Sequence, residues 1–154
     1  MIEGARASLL DRLIDRDPRS SREARPLRIL DRRALKESVR RDLGWLLNTR
    51  SPVPAAQLEA QERTVINYGL PDFSAMSAQN LDDHYRLAVN IARTLDAFEP
   101  RLKHVRVTVD EFREDEKSLR VRIDAVLAVG SISEPVSFTA NMRSATGEAV
   151  IDGV

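Results

Sequence analysis

The feature that most constrains this chain is a change of hydrophobic period in its last third. Val105, Val107 and Val109 alternate with Arg106, Thr108 and Asp110. Leu119, Val121, Ile123, Ala125 and Leu127 are interleaved with Arg120, Arg122 and Asp124. Val136, Phe138, Ala140 and Met142 alternate with Ser137, Thr139, Asn141 and Arg143. A period of two puts every apolar residue on one face, so each run reads as a strand with one side buried. Glu114, Asp115, Glu116 and Lys117 turn the first run into the second; Gly130, Ser131 and Pro135 lie between the second and third. Ala145, Thr146 and Gly147 precede a last short strand, Glu148 to Ile151. Such an order predicts an antiparallel meander.

Upstream the period is helical. Leu35, Val39, Leu43, Leu46 and Leu47 recur at spacings of three and four. They predict a helix from about Asp31 to Leu47, with Asp31 as N-cap and Ser51, Pro52 and Pro54 ending the pattern. A second helix is expected from Ser77 or Asn80 to Phe98. Leu81, Tyr85, Ala88, Ala92 and Leu95 form its stripe, Leu87, Ile91 and Phe98 widen it, and Pro100 ends it. Between the helices, Arg63 to Tyr68 reads as a short strand before the turn at Gly69, Pro71 and Asp72. The fold class expected is α+β: two main helices packed on a mostly antiparallel β-meander sheet, with a short N-terminal amphipathic segment.

That N-terminal segment, residues 1–14, carries Leu9, Leu10, Leu13 and Ile14 around Asp11 and Arg12. It is too charged for the core of a signal peptide. Residues 15–30 are rich in arginine and broken by Pro18 and Pro26, and read as a tether. The expected division is therefore 1–30 for segment and tether and 31–154 for the folded domain. Lysine plus arginine and aspartate plus glutamate are both 24, so no net field draws nucleic acid or an anionic membrane. There are no cysteines, which excludes disulfides and thiolate chemistry, and no apolar run long enough to span a bilayer. A cytoplasmic protein is expected.

The inventory for catalysis is thin. The two histidines, His84 and His104, lack the spacing of a metal pair. No glycine falls in a phosphate-cradling loop and no nucleophile elbow is present. Glu99, Asp110, Glu111 and Glu114 offer carboxylates, but aromatic residues are only 5% of the chain and Trp45 is its sole tryptophan, a poor basis for a sugar cleft. No enzyme activity, catalytic residue, cofactor or metal is expected.

Glu99-Pro100-Arg101 stands out. A carboxylate at a helix C-terminus faces carbonyls of partial negative charge and needs a cation. Arg101 can grip it bidentately. Two readings stay open: an internal helix–strand joint whose charges satisfy one another, or a preorganised charged knob for a partner chain.

Leu9-Leu10-Asp11-Arg12-Leu13, Asp42-Leu43, Leu46-Leu47-Asn48-Thr49-Arg50, Val65-Ile66-Asn67-Tyr68-Gly69-Leu70-Pro71-Asp72 and Glu99-Pro100-Arg101 occur in that order. Together they resemble the TssE family of type VI secretion baseplate subunits, related to the "lysozyme-like" wedge protein of contractile-tail phages. The resemblance covers essentially the whole chain. It implies an α+β wedge subunit bound to TssF and TssG, with TssK nearby, in a cytoplasmic baseplate docked at the inner-membrane complex. It also implies likeness to the attachment domain of the sheath subunits TssB and TssC, and a part in seating the first sheath ring. The family's Glu-Pro-Arg motif, implicated in contact with the wedge core, maps onto Glu99, Pro100 and Arg101. The alternatives carried are a peptidoglycan hydrolase, after the old label, and an adaptor of a phage-like contractile tail. Two further partner surfaces are expected: the apolar face of Leu9, Leu10, Leu13 and Ile14, which should order only on a partner, and the edge strand with Val150 and Ile151, open to strand addition by sheath.

Overall fold

A computed structural model describes residues 5–15, 18–21, 29–77, 79–114, 117–143 and 146–153. In chain order the elements are β1 (Ala5–Arg6), α1 (Leu9–Leu13), β2 (Ile29–Leu30), α2 (Arg32–Asn48), α3 (Ala55–Leu58), α4 (Leu81–Phe98), β3 (Leu102–Arg113), β4 (Ser118–Val129), β5 (Ile132–Arg143) and β6 (Ala149–Asp152). The α+β class and the meander are as the periodicity predicts.

Asp31 caps α2, its side chain accepting from the Ala34 N–H at 2.8 Å. Leu35, Val39, Leu43, Leu46 and Leu47 are all buried, the stripe read from sequence. Asn80 caps α4, but the buried face of that helix is turned from the one expected. Leu87, Ile91 and Leu95 go inward with Asn90 and Thr94, while Leu81 and Tyr85 stay exposed. Two apolar stripes overlap on this helix, and the one carrying three large aliphatics at spacings of four took the core.

The sheet runs β3-β4-β5-β6, each pair antiparallel. Val121, Ile123, Ala125 and Leu127 on β4 and Val136, Phe138, Ala140 and Met142 on β5 join α2 and α4 in one apolar core. α4 lies along β3 and α2 along β6. Pro135, expected in a turn, sits within β5 opposite Val126. β6 pairs only with Thr139 to Met142, so among the described residues no strand on that side of Pro135 needs the N–H that proline lacks.

The segment Arg63 to Tyr68 is not a strand. Val65–Asn67 is a single 3-10 turn, closed by the Thr64 N–H on Asn67 Oδ1 at 2.8 Å. The side chain of Asn67 offers the backbone a partner that a sheet would otherwise supply, and Val65 and Ile66 are left 87% and 80% exposed. Beyond it Gly69, at φ +108°, brings the chain against the end of α2, where the Leu70 N–H meets Thr49 O at 2.9 Å. A side chain at Gly69 would strike the Thr49 carbonyl, so glycine is required for this close approach.

Tether residues 16–17 and 22–28 lie outside the described residues. What flanks them is part of the same body. β1 pairs with β2, Ala5 opposite Leu30, and Ala5, Ala7 and Leu30 belong to the common core. The division at residue 30 is therefore not a break in packing.

Candidate functional site

The residues at the end of α4 solve the electrostatic problem posed by their sequence. Glu99 is the C-cap of α4, its N–H bonded to Leu95 O at 2.8 Å. It is only 3% exposed. Arg101 grips its carboxylate through Nε and Nη2, at 2.6 and 2.5 Å. The same guanidinium donates from Nη2 to Asp42 Oδ2 at 2.6 Å and from Nη1 to Ser38 Oγ at 3.0 Å. Burial alone would lower the Arg101 pKa; the hydrogen bonds and charges of Glu99 and then Asp42 hold it well above the ordinary value. A turn bond from Leu102 N–H to Glu99 O at 3.1 Å closes the joint, and Ala128 N–H to Arg101 O at 2.8 Å ties it to β4.

The network continues across α2 to the N-terminal segment. Arg41 donates to Asp42 Oδ1 from Nε and Nη2, at 2.9 and 2.7 Å, and to Asp11 Oδ1 from Nη1 at 2.8 Å. Asp11 Oδ2 accepts from Ser38 at 2.8 Å and from Ser8 at 2.6 Å. Asp11 is 1% exposed. Burial would raise its pKa, but hydrogen bonds from Ser8, Arg41 and Ser38 and the Arg41 charge bring it down to about 2. Charges thus alternate from Glu99 through Arg101, Asp42 and Arg41 to Asp11. Sequence reasoning picked out the two ends of Glu99-Pro100-Arg101 and missed Ser38, Arg41, Asp42 and the role of Asp11. The signal was there: Ser38, Arg41 and Asp42 stand at helical spacing beside the apolar stripe of α2.

Beside this network lies a groove of about 380 Å³. Leu10, Trp45, Tyr68, Phe98, Pro100 and Arg101 line it. Its walls are braced by ring contacts. Tyr68 and Phe98 meet edge to face at 5.1 Å, and the Arg41 guanidinium stacks 4.9 Å from the Trp45 ring. Burial, with the carboxylates of Asp42 and Glu99, raises the Tyr68 pKa, so its hydroxyl remains a donor at neutral pH. Pro100 is exposed between its two charged neighbours.

Two expected partner surfaces come out differently. The N-terminal segment packs on its own chain. It forms α1 on this chain's own α2, held through Asp11, with Ser8 as N-cap. Leu9 and Leu13 point outward, 70% and 71% exposed, Leu10 is exposed, and Ile14 is half-buried. The edge at β6 is also not open. Ile151 is buried, with Gly44 of α2 nearby, while Val150 and Asp152 are exposed. Asn48 accepts from the Ala149 N–H and donates to the Ala149 carbonyl, both at 2.8 Å, and Arg40 donates to Ile151 O at 3.2 Å. The Ala149 N–H and carbonyl and the Ile151 carbonyl, which an added strand would use, are already bonded to α2, so this edge is a poor place for strand addition at Val150 and Ile151. β3, at the other end of the sheet, pairs on one side only among the described residues, and two register shifts interrupt it.

Two of the carboxylates weighed for hydrolysis are each engaged by an arginine. Glu99 is bound by Arg101, and Asp110 accepts from Arg122 at 3.1 Å on the exposed side. His84 is half-buried on α4; His104 is exposed, at φ +54° in a bulge of β3. No helix among the described residues is long and apolar enough to cross a membrane.

A family model described as baseplate wedge protein gp25 matches residues 33–131, from the first turn of α2 to just beyond β4. That span holds Glu99-Pro100-Arg101, Asp42 and the whole of α4. No curated protein and no solved structure matches the chain.

Proposed function

This chain belongs to the gp25 family of baseplate wedge proteins, and from that premise we propose that it is the TssE-type wedge subunit of a type VI secretion baseplate. The family supports a structural role in a baseplate. The finer reading is that the chain binds TssF and TssG in the cytoplasmic baseplate, near TssK, and helps seat the TssB/TssC sheath.

One observation carries the assignment of the surface. The charged joint at Glu99 and Arg101 is closed by bonds within the chain, yet it opens on one side into a groove with Trp45, Phe98 and Pro100 at its walls. Rigid aromatic and proline surfaces around an immobilised guanidinium lose little entropy on binding, which is how central interface residues contribute affinity. In this reading Glu99 is the buried support, Arg101 the positioned cation and Pro100 the exposed contact. The outward Leu9, Leu10 and Leu13 extend the same contact toward TssF–TssG. The sheath would be met at the long β3 edge instead of at β6. The chain acts by shape and charge, with no turnover of its own.

The experiment is binding of the purified chain to TssF–TssG, with Pro100→Asp as the variant. Pro100 is exposed, so the fold should survive while affinity falls; undiminished binding by a folded P100D protein would reject this surface.

A further inference from the structure

We infer that Asp11 is a positioning residue for the wedge contact: it latches residues 5–14 onto α2 as a strap and so fixes one wall of the groove beside Arg101. The inference rests on the wedge reading above. A five-residue helix such as α1 is too short to hold itself in water. Leu9 and Leu13 face outward and only Leu10 turns partly toward the groove, so apolar burial holds it weakly. What holds the middle of the strap is the Asp11 carboxylate, bonded by Ser8, Ser38 and Arg41. Its start is pinned separately by the pairing of Ala5 with Leu30.

Both neighbours of the latch touch the groove. Ser8 and Leu10, both just before Asp11 in the strap, line it. On α2, Ser38 donates to Asp11 and accepts from Arg101, and Arg41 is shared between Asp11, Asp42 and the face of Trp45. Losing Asp11 would free the strap and loosen Arg41 against Trp45. The Glu99–Arg101–Asp42 joint would keep its own bonds, so the body of the domain should stay folded. At neutral pH the carboxylate is ionised, so the latch positions the wall constantly and does not switch it.

The test compares wild type, Asp11→Ala and Asp11→Asn by hydrogen exchange and by affinity for purified TssF–TssG. In D11A the amides of Arg12 and Ile14, bonded to Ser8 O and Leu10 O, should exchange at least about tenfold faster while α2, α4 and β4 keep their protection. Affinity should fall about tenfold, with D11N in between. A strap as protected in D11A as in wild type overturns the latch. A freed strap with undiminished affinity overturns its part in the contact. If folded wild-type protein does not bind TssF–TssG, the wedge reading fails by itself, and the exchange result still supports or rejects the latch.

Discussion

Replacing Arg101 by methionine keeps a long stem in place and removes the charge. Glu99 then remains 3% exposed at the carbonyl end of α4, without the two bonds at 2.6 and 2.5 Å that hold it. Removing one partner of a buried ion pair costs about 3–5 kcal/mol. The lower end applies, because the Arg101 side chain is 17% exposed and water can partly replace it. Asp42 still has Arg41 and adds little. About 3 kcal/mol corresponds to a fall in Tm of roughly 6–12 °C for a chain of this length. Glu99→Gln leaves Arg101 with Asp42 and Ser38 and should cost less, about 1.5–3 kcal/mol. The double variant E99Q/R101M removes the stranded charge and should recover part of the loss, with a coupling of at least about 1 kcal/mol. Urea denaturation of the four proteins measures this cycle. An R101M protein melting within about 2 °C of wild type, or two costs that simply add, would refute the view that this pair closes the joint.

Other consequences can be checked alongside. Gly69→Ala forces a side chain against the Thr49 carbonyl at φ +108° and should destabilise by about 1–3 kcal/mol in denaturant titrations; an unchanged midpoint would contradict the close approach. Asn48→Ala removes both outward bonds of Ala149, so the Ala149 amide should lose exchange protection and the protein should self-associate more in light scattering. The Asp11 carboxylate has a lower pKa folded, about 2, than unfolded, 3.8. Its contribution, about 2 kcal/mol, is therefore present above pH 4 and lost as the pH falls toward 2, which the amide shifts of residues 9–13 would report in an acid titration.

Much of this fold is legible because its elements obey single periods. α2 was readable from one cap and one stripe, and β4 and β5 from strict alternation. α4 was readable in extent but not in rotation, because apolar residues surround more of it than the core requires. The turn at Val65 was misread because β-branched residues favour strands, whereas the Asn67 side chain decides the local conformation. At the site, Glu99 and Arg101 were legible from helix-end electrostatics. Asp11 was not, because amphipathic reasoning puts leucines inside and aspartate outside. Only tertiary contact with Ser38 and Arg41 reverses that order.

The most direct measurement is size-exclusion chromatography with light scattering on the intact chain mixed with purified TssF–TssG. A wedge subunit of this kind should co-elute with them in a complex of defined mass. A folded chain that elutes alone at micromolar concentrations, with TssF–TssG running as it does by itself, would contradict the account.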